Sequence, residues 1–324
     1  MNNLYESIGI TKQAFHNMLD RKLRKRSEEM QILKLVYEIR NDHPTMGLRD
    51  MYYKLSPPSI GRDVFEAMCK SDGLSVKKYK NWRRTTDSSG VIRFDNLLID
   101  IIINRINQVY QSDITYFDIC GKFHYITFVE DCFSRRILGY SVSSGLTTEE
   151  TTLPALRMAI KIRSQESMDF KGVIFHSDGG GQYYDKEFLK ITSAQRIKNS
   201  MCEYPWENGK VERLNGVIKN NYLIHRGINS FDQLQKEVDR TVLLYNNEKP
   251  HIGLGRKTPI QYEIDYLRNE QQPDGEKSAT ELKSQFPEGR SALRAENNNP
   301  SGSNIALELK NSKIKRVEKT VNVI

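Results

Sequence analysis

Gly172-Val173-Ile174-Phe175-His176-Ser177-Asp178-Gly179-Gly180-Gly181-Gln182 is a short apolar run that stops at polar residues and three glycines. A strand covered on both faces reads this way. Upstream, residues 109–118, 123–131 and 136–143 are three β-rich runs, separated only by Cys120-Gly121 and Phe133-Ser134. Breaks that short predict an antiparallel meander. Between the meander and the apolar run a helix is predicted from about Thr148, with Leu153, Leu156 and Ile160 as its buried stripe. Thr147 and Glu150 have capping-box spacing, although Pro154 argues for a later start. The order β-β-β-α-β predicts that the last strand lies parallel to a central one, reached by a helical crossover. The fold class is therefore α/β, a mixed sheet flanked by helices.

Further along, Val211, Leu214 and Ile218 give the stretch 208–222 one apolar stripe at helical spacing. Glu212, Asn215 and Lys219 repeat that spacing about 100° away, which gives the same helix an adjacent polar face. Residues 230–248 predict a second helix with Phe231, Leu234, Val238 and Tyr245 inward, Ser230 and Gln233 as a capping box, and Lys249-Pro250 as its stop. Before the sheet the texture is helical. Residues 11–26 carry Phe15, Met18, Leu19 and Leu23 on one side, with Thr11 as N-cap; residues 28–40 carry Ile32, Leu35, Val36 and Ile39. Gly47–Leu55 and Ile60–Lys70 flank the breaker Ser56-Pro57-Pro58-Ser59, the pattern of a helix-turn-helix. The predicted organisation is a helical region over 1–90, an α/β domain over 96–265, and a polar linker and tail over 266–324. Residues 269–304 are too poor in large apolar side chains for a core.

The 324 residues carry 49 Lys and Arg against 41 Asp and Glu. The excess is uneven: residues 1–95 hold 18 basic and 12 acidic side chains, whereas 96–265 hold 21 of each. A basic excess at one end points to a polyanion met there, or else to a solvated basic surface. Lys77, Lys78, Lys80, Arg83 and Arg84, interleaved with Tyr79 and Trp82, suit phosphate contact with base or sugar stacking; an exposed basic linker reads the same way. No apolar run approaches the ~18 residues of a membrane-spanning helix. The N-terminus reads as no secretory leader, so a cytoplasmic protein is expected. The four cysteines, Cys69, Cys120, Cys132 and Cys202, form no Cys-x-x-Cys pair, which points to free thiols rather than zinc or redox chemistry.

Three acids stand where structure alone would not choose them. Asp113 interrupts a strand, a costly place for an unpaired carboxylate. Asp178 ends the apolar strand, where ligand sites in α/β sheets collect, and the glycines after it permit close approach. Glu212 lies on the polar helix face. Carboxylates that converge repel one another, and a divalent cation relieves the repulsion; with no His/Cys cluster nearby, Mg²⁺ suits better than Zn²⁺. Spacing alone leaves open that each acid is only a cap or turn residue.

Several ordered motifs carry a resemblance. Gln108-Val109-Tyr110-Gln111-Ser112-Asp113-Ile114-Thr115-Tyr116, Asp131-Cys132-Phe133-Ser134-Arg135-Arg136, His176-Ser177-Asp178-Gly179-Gly180-Gly181-Gln182-Tyr183 and Glu207-Asn208-Gly209-Lys210-Val211-Glu212-Arg213 occur in this order. Together they resemble the integrase-type catalytic core of bacterial insertion-sequence transposases of the OrfB type. Tyr245-Asn246-Asn247-Glu248-Lys249-Pro250-His251 and Lys257-Thr258-Pro259 match that family's closing signature, and His43-Pro44-Thr45-Met46-Gly47-Leu48-Arg49 resembles its helix-turn-helix region. The match spans about residues 10–265.

The resemblance implies a ribonuclease H-like fold with an Asp-Asp-Glu site, onto which Asp113, Asp178 and Glu212 align as catalytic and metal-binding residues. The gap between Asp178 and Glu212 is 33 residues, two short of the family's usual spacing. The shortfall falls in the tolerant loop 203–206. Tyr110 stands where the family often has Trp, and the His-His-Cys-Cys zinc module of retroviral integrases is missing from the sequence. The implied activity is DNA transposition: cutting and joining the ends of an insertion sequence by two-metal phosphodiester hydrolysis and strand transfer. The implied cofactor is a pair of Mg²⁺ ions, with Mn²⁺ able to substitute. The implied partners are double-stranded DNA (the element's terminal inverted repeats and the target), further copies of the chain in a homo-oligomer, and an upstream-frame OrfA-type fusion partner. No membrane is involved, and a nucleoid-associated location follows. Arg49 and Arg62 are candidate DNA contacts, as are Lys210, Arg213 and Lys219 beside Glu212, and a solvated helix face is the bland alternative for these last three. His176 is read either as touching the scissile phosphate or as a packed strand residue, and Asn208 either as orienting Glu212 or as capping its helix. The competing readings are a catalytically silent DNA-binding regulator, and a nuclease or phage integrase on the same fold.

Overall fold

The computed structural model describes residues 9–76, 94–99, 101–202 and 209–269, the last stretch with side chains from Glu212 onward. The basic run at 77–84, the boundary at 85–90 and the tail beyond 269 lie outside the described residues. The chain groups into two units: residues 1–85 with 220–225, and residues 86–219 with 226–324.

The first unit is helical. α1 (Lys12–Asp42) starts where Thr11 Oγ accepts the Ala14 N–H at 3.1 Å. It runs for 31 residues where the sequence predicts two helices. Arg26-Ser27-Glu28 contains neither Gly nor Pro, so nothing there interrupts the hydrogen-bond ladder. Only Ile32, Val36 and Ile39 of α1 are buried, packing with Met51, Phe65 and Cys69 of α2 (Leu48–Leu55) and α3 (Arg62–Ser71). Met18, Leu19 and Leu23 of the first apolar stripe are exposed, and so is Leu35 of the second. The α2–α3 pair covers the last three turns of α1 and none of the first half. The Arg40 guanidinium holds the far end together, donating to the carbonyls of Pro44, Met46 and Leu74 at 3.0, 2.8 and 2.8 Å. His43 Nδ1 lies 3.0 Å from Tyr222 Oη with the rings edge to face, both side chains buried.

The second unit contains the sheet. β1 (Val109–Ile119), β2 (Lys122–Asp131) and β3 (Ile137–Ser143) form the predicted meander, antiparallel throughout. α4 (Thr152–Gln165) crosses over to β4 (Ile174–Ser177), which pairs parallel with β1. α4 begins four residues later than predicted. Pro154 falls in its first turn, where an N–H has no partner to lose, and the Thr147–Glu150 box does not form the cap, since Thr151 holds that position. α4 packs so closely on the meander that a Cβ on Gly139 would meet the Ala155 carbonyl oxygen.

The chain then adds α5 (Lys186–Ala194) and β5 (Lys198–Met201), parallel to β4, neither of which the sequence reading anticipated. α6 (Gly209–Asn221), α7 (Phe231–Asn247) and α8 (Pro259–Asn269) follow. The sheet order is β3-β2-β1-β4-β5. Tyr110 and Phe175 turn toward α4 and α5 in the main core, whereas Asp113 meets α6 and Glu130 meets α7 on the opposite face. This mixed sheet with helices on both faces is the ribonuclease H-like arrangement that the resemblance implies. Among the described residues no helix is long and apolar enough to cross a membrane.

A buried ionic network closes one end of this unit. Arg163 of α4 contacts Asp131 at 2.9 Å, Glu166 at 2.9 Å and Glu263 of α8 at 2.6 Å; Arg136 contacts Glu166 at 2.8 Å and Glu263 at 2.7 Å. All five side chains are at most 2% exposed. Burial alone would raise the Glu263 pKa, but Arg163 and Arg136 outweigh it and hold the carboxyl below the ordinary range. Burial pushes Asp131 up, against the pull of Arg163. Asp131 also accepts the N–H of Asn107 at 2.7 Å and of Phe133 at 2.9 Å, so it ties the entry to β1 and the β2–β3 turn into the cluster. Removing one partner strands the others. Arg163→Met is therefore expected to cost about 3–5 kcal/mol, read as a lower urea midpoint. A variant that unfolds with the parent would show that the network contributes nothing to stability.

Candidate active site

The parallel register of β1 and β4 runs from Val109↔Ile174 to Ser112↔Ser177. The next residue of each strand is an acid, Asp113 in one and Asp178 in the other. Asp113 is half-buried and stands opposite Phe128 on β2. Asp178 begins a turn in which its Oδ1 accepts the Gly180 N–H at 3.2 Å. At the next position, Gly179 leaves room for the Met201 methyl, which a Cβ would approach to 2.7 Å and push aside.

α6 supplies the third acid. Glu212 lies in its first turn and is exposed. One turn later Asn215 Nδ2 donates to Asp113 Oδ2 at 2.7 Å. Another turn on, Lys219 Nζ lies 3.3 Å from Thr115 Oγ and 4.5 Å above the Tyr116 ring. The polar stripe of this helix thus runs along β1, while Leu214 and Ile218 are buried beside it.

The electrostatics register this grouping. Burial, then the charge of Asp178, and less strongly that of Glu212, push the Asp113 pKa up to about 7, with hydrogen bonds from the Ile114 N–H and then from Asn215 opposing the rise. Burial also raises Asp178. Lys219 is lowered by burial, and Asp113 acts the other way. Among the described residues no arginine enters the balance at Asp113 or Asp178, in contrast to the buried network. Among the described residues no three His, Cys, Asp or Glu side chains stand ready to hold a metal ion. The three acids are therefore neighbours in charge without forming a closed cage.

The remaining candidates fall elsewhere. His176 is fully buried within the sheet, in register with Gln111 and Ser200, and its Nδ1 lies 3.0 Å from Ser200 Oγ. It packs beneath the acids as a strand residue. Arg213 is exposed on α6. In the helical unit, Arg49 lies 3.6 Å from Glu66, and Arg62 reaches Asp63 at 3.0 Å and Glu66 at 3.8 Å. Asn208 and the Lys210 side chain lie outside the described residues, as do Lys77, Lys78, Lys80, Arg83 and Arg84. Asn215 shares the helical spacing of Glu212 and Lys219, yet sequence reasoning assigns it no role. Spacing shows which side of the helix it occupies and cannot show what that side faces.

Two models of the integrase core domain match the chain, one over residues 104–204 and one over 194–259. A putative transposase for the insertion sequence element IS986/IS6110 of Mycobacterium tuberculosis is 32% identical, over 70% of this chain and 84% of that protein. An uncharacterized 31 kDa protein of insertion element IS600 from Shigella sonnei is 26% identical, over 80% of this chain and 97% of that one. Among solved structures, the HTLV-2 integrase catalytic core domain in complex with magnesium covers 48% of this chain and 96% of its own length, at 24% identity and a TM-score of 0.39. The chain belongs to the family of bacterial insertion-sequence transposases that carry an integrase core.

Proposed function

We propose that Asp113, Asp178 and Glu212 are the catalytic carboxylates of this transposase, a polynucleotidyl transferase that cuts the ends of its element and joins them to a target. One observation carries the reading: two acids follow directly on the last parallel pair of β1 and β4, and the charge of the third is felt at Asp113. The donors fit a hard divalent cation. They are carboxylate oxygens only, they carry excess negative charge, and among the described residues no guanidinium offsets it at Asp113 or Asp178. Mg²⁺ held there, as a pair of ions or with Mn²⁺ in its place, would supply Lewis-acid stabilisation of the attacking and leaving oxygens at phosphorus.

The chain's own residues do the positioning. β1 and β4 present Asp113 and Asp178 from a rigid sheet, and α6 brings Glu212 from across it. Lys219, in direct contact with no carboxylate among the described residues, presents its ammonium near Asp113, where a DNA phosphate would approach. Recognition of the terminal inverted repeats falls to the basic helical unit. Arg49 and Arg62 already share Glu66, whereas Arg21, Lys22, Arg24 and Arg26 project from the exposed half of α1 toward solvent. Two element ends must meet in one reaction, which calls for at least two copies of the chain. An OrfA-type fusion would add to the DNA-binding side.

Replacing Asp113 or Asp178 by Asn, or Glu212 by Gln, is expected to abolish Mg²⁺-dependent nicking of terminal-repeat DNA while leaving the DNA dissociation constant within about twofold. Full activity in any of the three would sink the assignment. A parent protein that binds without nicking would be a regulator, and one that nicks but cannot join a free 3′-hydroxyl end would be a nuclease.

Stability supplies a second check. In the metal-free protein Asp113 ionises near pH 7, against an ordinary value of 3.8. The unfolded chain therefore loses this proton first, and stability falls as pH rises from about 4 to about 7. Discounted for partial exposure, the loss is roughly 2 kcal/mol. Mg²⁺ at pH 7.5 should restore it, because a ligand of the folded state stabilises by mass action. In chemical denaturation, Asp113→Asn should flatten both the pH slope and the Mg²⁺ response. A parental slope in that variant would mean that Asp113 is not the group responsible.

A further inference from the structure

Asn215 is the residue of α6 whose placement stability does not explain. Its side chain is 6% exposed, between the turns that carry Glu212 and Lys219. Nδ2 donates to Asp113 Oδ2 at 2.7 Å. Oδ1, on the other side of the same amide, is buried and has no hydrogen-bond partner among the described residues. An anionic carboxylate accepts only from the NH₂ end, so the contact with Asp113 dictates which way the amide turns and leaves the oxygen unmatched. An unmatched buried acceptor is unfavourable, and an apolar side chain continuous with Leu214 and Ile218 would avoid it. The fold accepts this defect and retains the bond to Asp113.

That bond also has a defined mechanical consequence. It joins β1, which carries Asp113, to α6, which carries Glu212, at the level of the acids themselves. It engages Oδ2 of Asp113 and, together with the Ile114 N–H that the carboxylate also accepts, restrains the rotation of the carboxylate. The donor is neutral, so Asp113 is oriented without its charge being cancelled.

Resting on the reading of Asp113, Asp178 and Glu212 as the catalytic acids, we propose that Asn215 is a positioning residue for divalent-cation binding and catalysis: its amide orients the Asp113 carboxylate and fixes the helix of Glu212 against the strand of Asp113. Partners that orient metal ligands are typically worth about 10–100-fold in metal affinity or rate.

The experiment uses the full chain with two variants. Asn215→Asp keeps the shape and removes the donor. Asn215→Leu removes the amide and the unmatched oxygen together. The readouts are kcat and KM for nicking of terminal-repeat DNA, the melting temperature, and the Mg²⁺ concentration at half of the cation-induced melting shift. Both variants are expected to lower kcat by about 10–100-fold with KM within twofold, and to raise the Mg²⁺ half-point by about tenfold. Asn215→Leu should melt no more than a few degrees from the parent. The proposal is overturned if kcat and the Mg²⁺ half-point stay within twofold of the parent in Asn215→Asp, whatever the Leu variant does. It is overturned equally if KM alone changes, which would make Asn215 a DNA contact, or if lost activity simply follows lost folded protein. Asp113→Asn is run alongside: an active Asp113→Asn defeats the catalytic reading itself, whereas an inactive one beside a parental Asn215→Asp defeats only the role given to Asn215.

Discussion

The parallel pairing of β1 with β4 is the constraint from which the site follows. β1 is the central strand, bonded to antiparallel β2 on one edge and to β4 on the other. Parallel neighbours run in the same direction, so the residues that follow the last pair of the shared ladder arrive side by side. Here they are Asp113 and Asp178. A parallel pair also needs a crossover, and α4 provides it. The end of α4 is anchored by Arg163 and Glu166, deep in the ionic network with Asp131 and Glu263. The network does not touch the three acids, yet it holds the element that makes their adjacency possible.

Two clusters of carboxylates in one domain separate structure from chemistry. In the network three carboxylates meet two guanidiniums, every acid accepts a charged donor below 3 Å, and Glu263 is held in its anionic form. At the site three carboxylates meet an amide and a half-buried lysine that bonds to Thr115 instead, and Asp113 rises to about 7. The first arrangement is complete without any ligand. The second leaves negative charge unmatched around a largely desolvated Asp113, the condition that a divalent cation relieves. Both clusters carry an excess of acids; direct guanidinium partners in the first and their lack among the described residues of the second distinguish them.

Much of this was legible in the residues. The alternation in the meander, the continuous apolar run of β4, and the stripes of α6 and α7 are periodicities that burial imposes on sequence, and they place Asp113, Asp178 and Glu212 on the right elements. What escaped has physical reasons. Lys198-Asn199-Ser200-Met201 offers a single large apolar residue, because β5 is a four-residue edge strand of which only the last two residues are buried. The stripe of Phe15, Met18, Leu19 and Leu23 has helical spacing, but periodicity reports a helix and not whether anything packs on it. The joining of Glu263 to Arg163, 100 residues apart, leaves no local pattern at all. The partner of Asn215 is hidden for the same reason.

The identity of that side chain bears on the chemistry in a way that its position alone does not. A lysine or arginine at 215 would bind Asp113 more strongly, since charged donors make the better hydrogen bonds. It would also bring the carboxylate down to its ordinary pKa and fill with a fixed cation the place where an exchangeable one is wanted. A leucine would remove the unmatched acceptor together with the side-chain donor that helps to orient the carboxylate. Asparagine lies between these extremes: it directs one oxygen, stays neutral, and leaves the excess charge in place. Lys219, whose ammonium is drawn toward Thr115 and the Tyr116 ring, likewise stops short of neutralising Asp113. The immediate surroundings of Asp113 therefore orient it while withholding a counter-charge, which is the condition a carboxylate must meet if its partner is to arrive from solution.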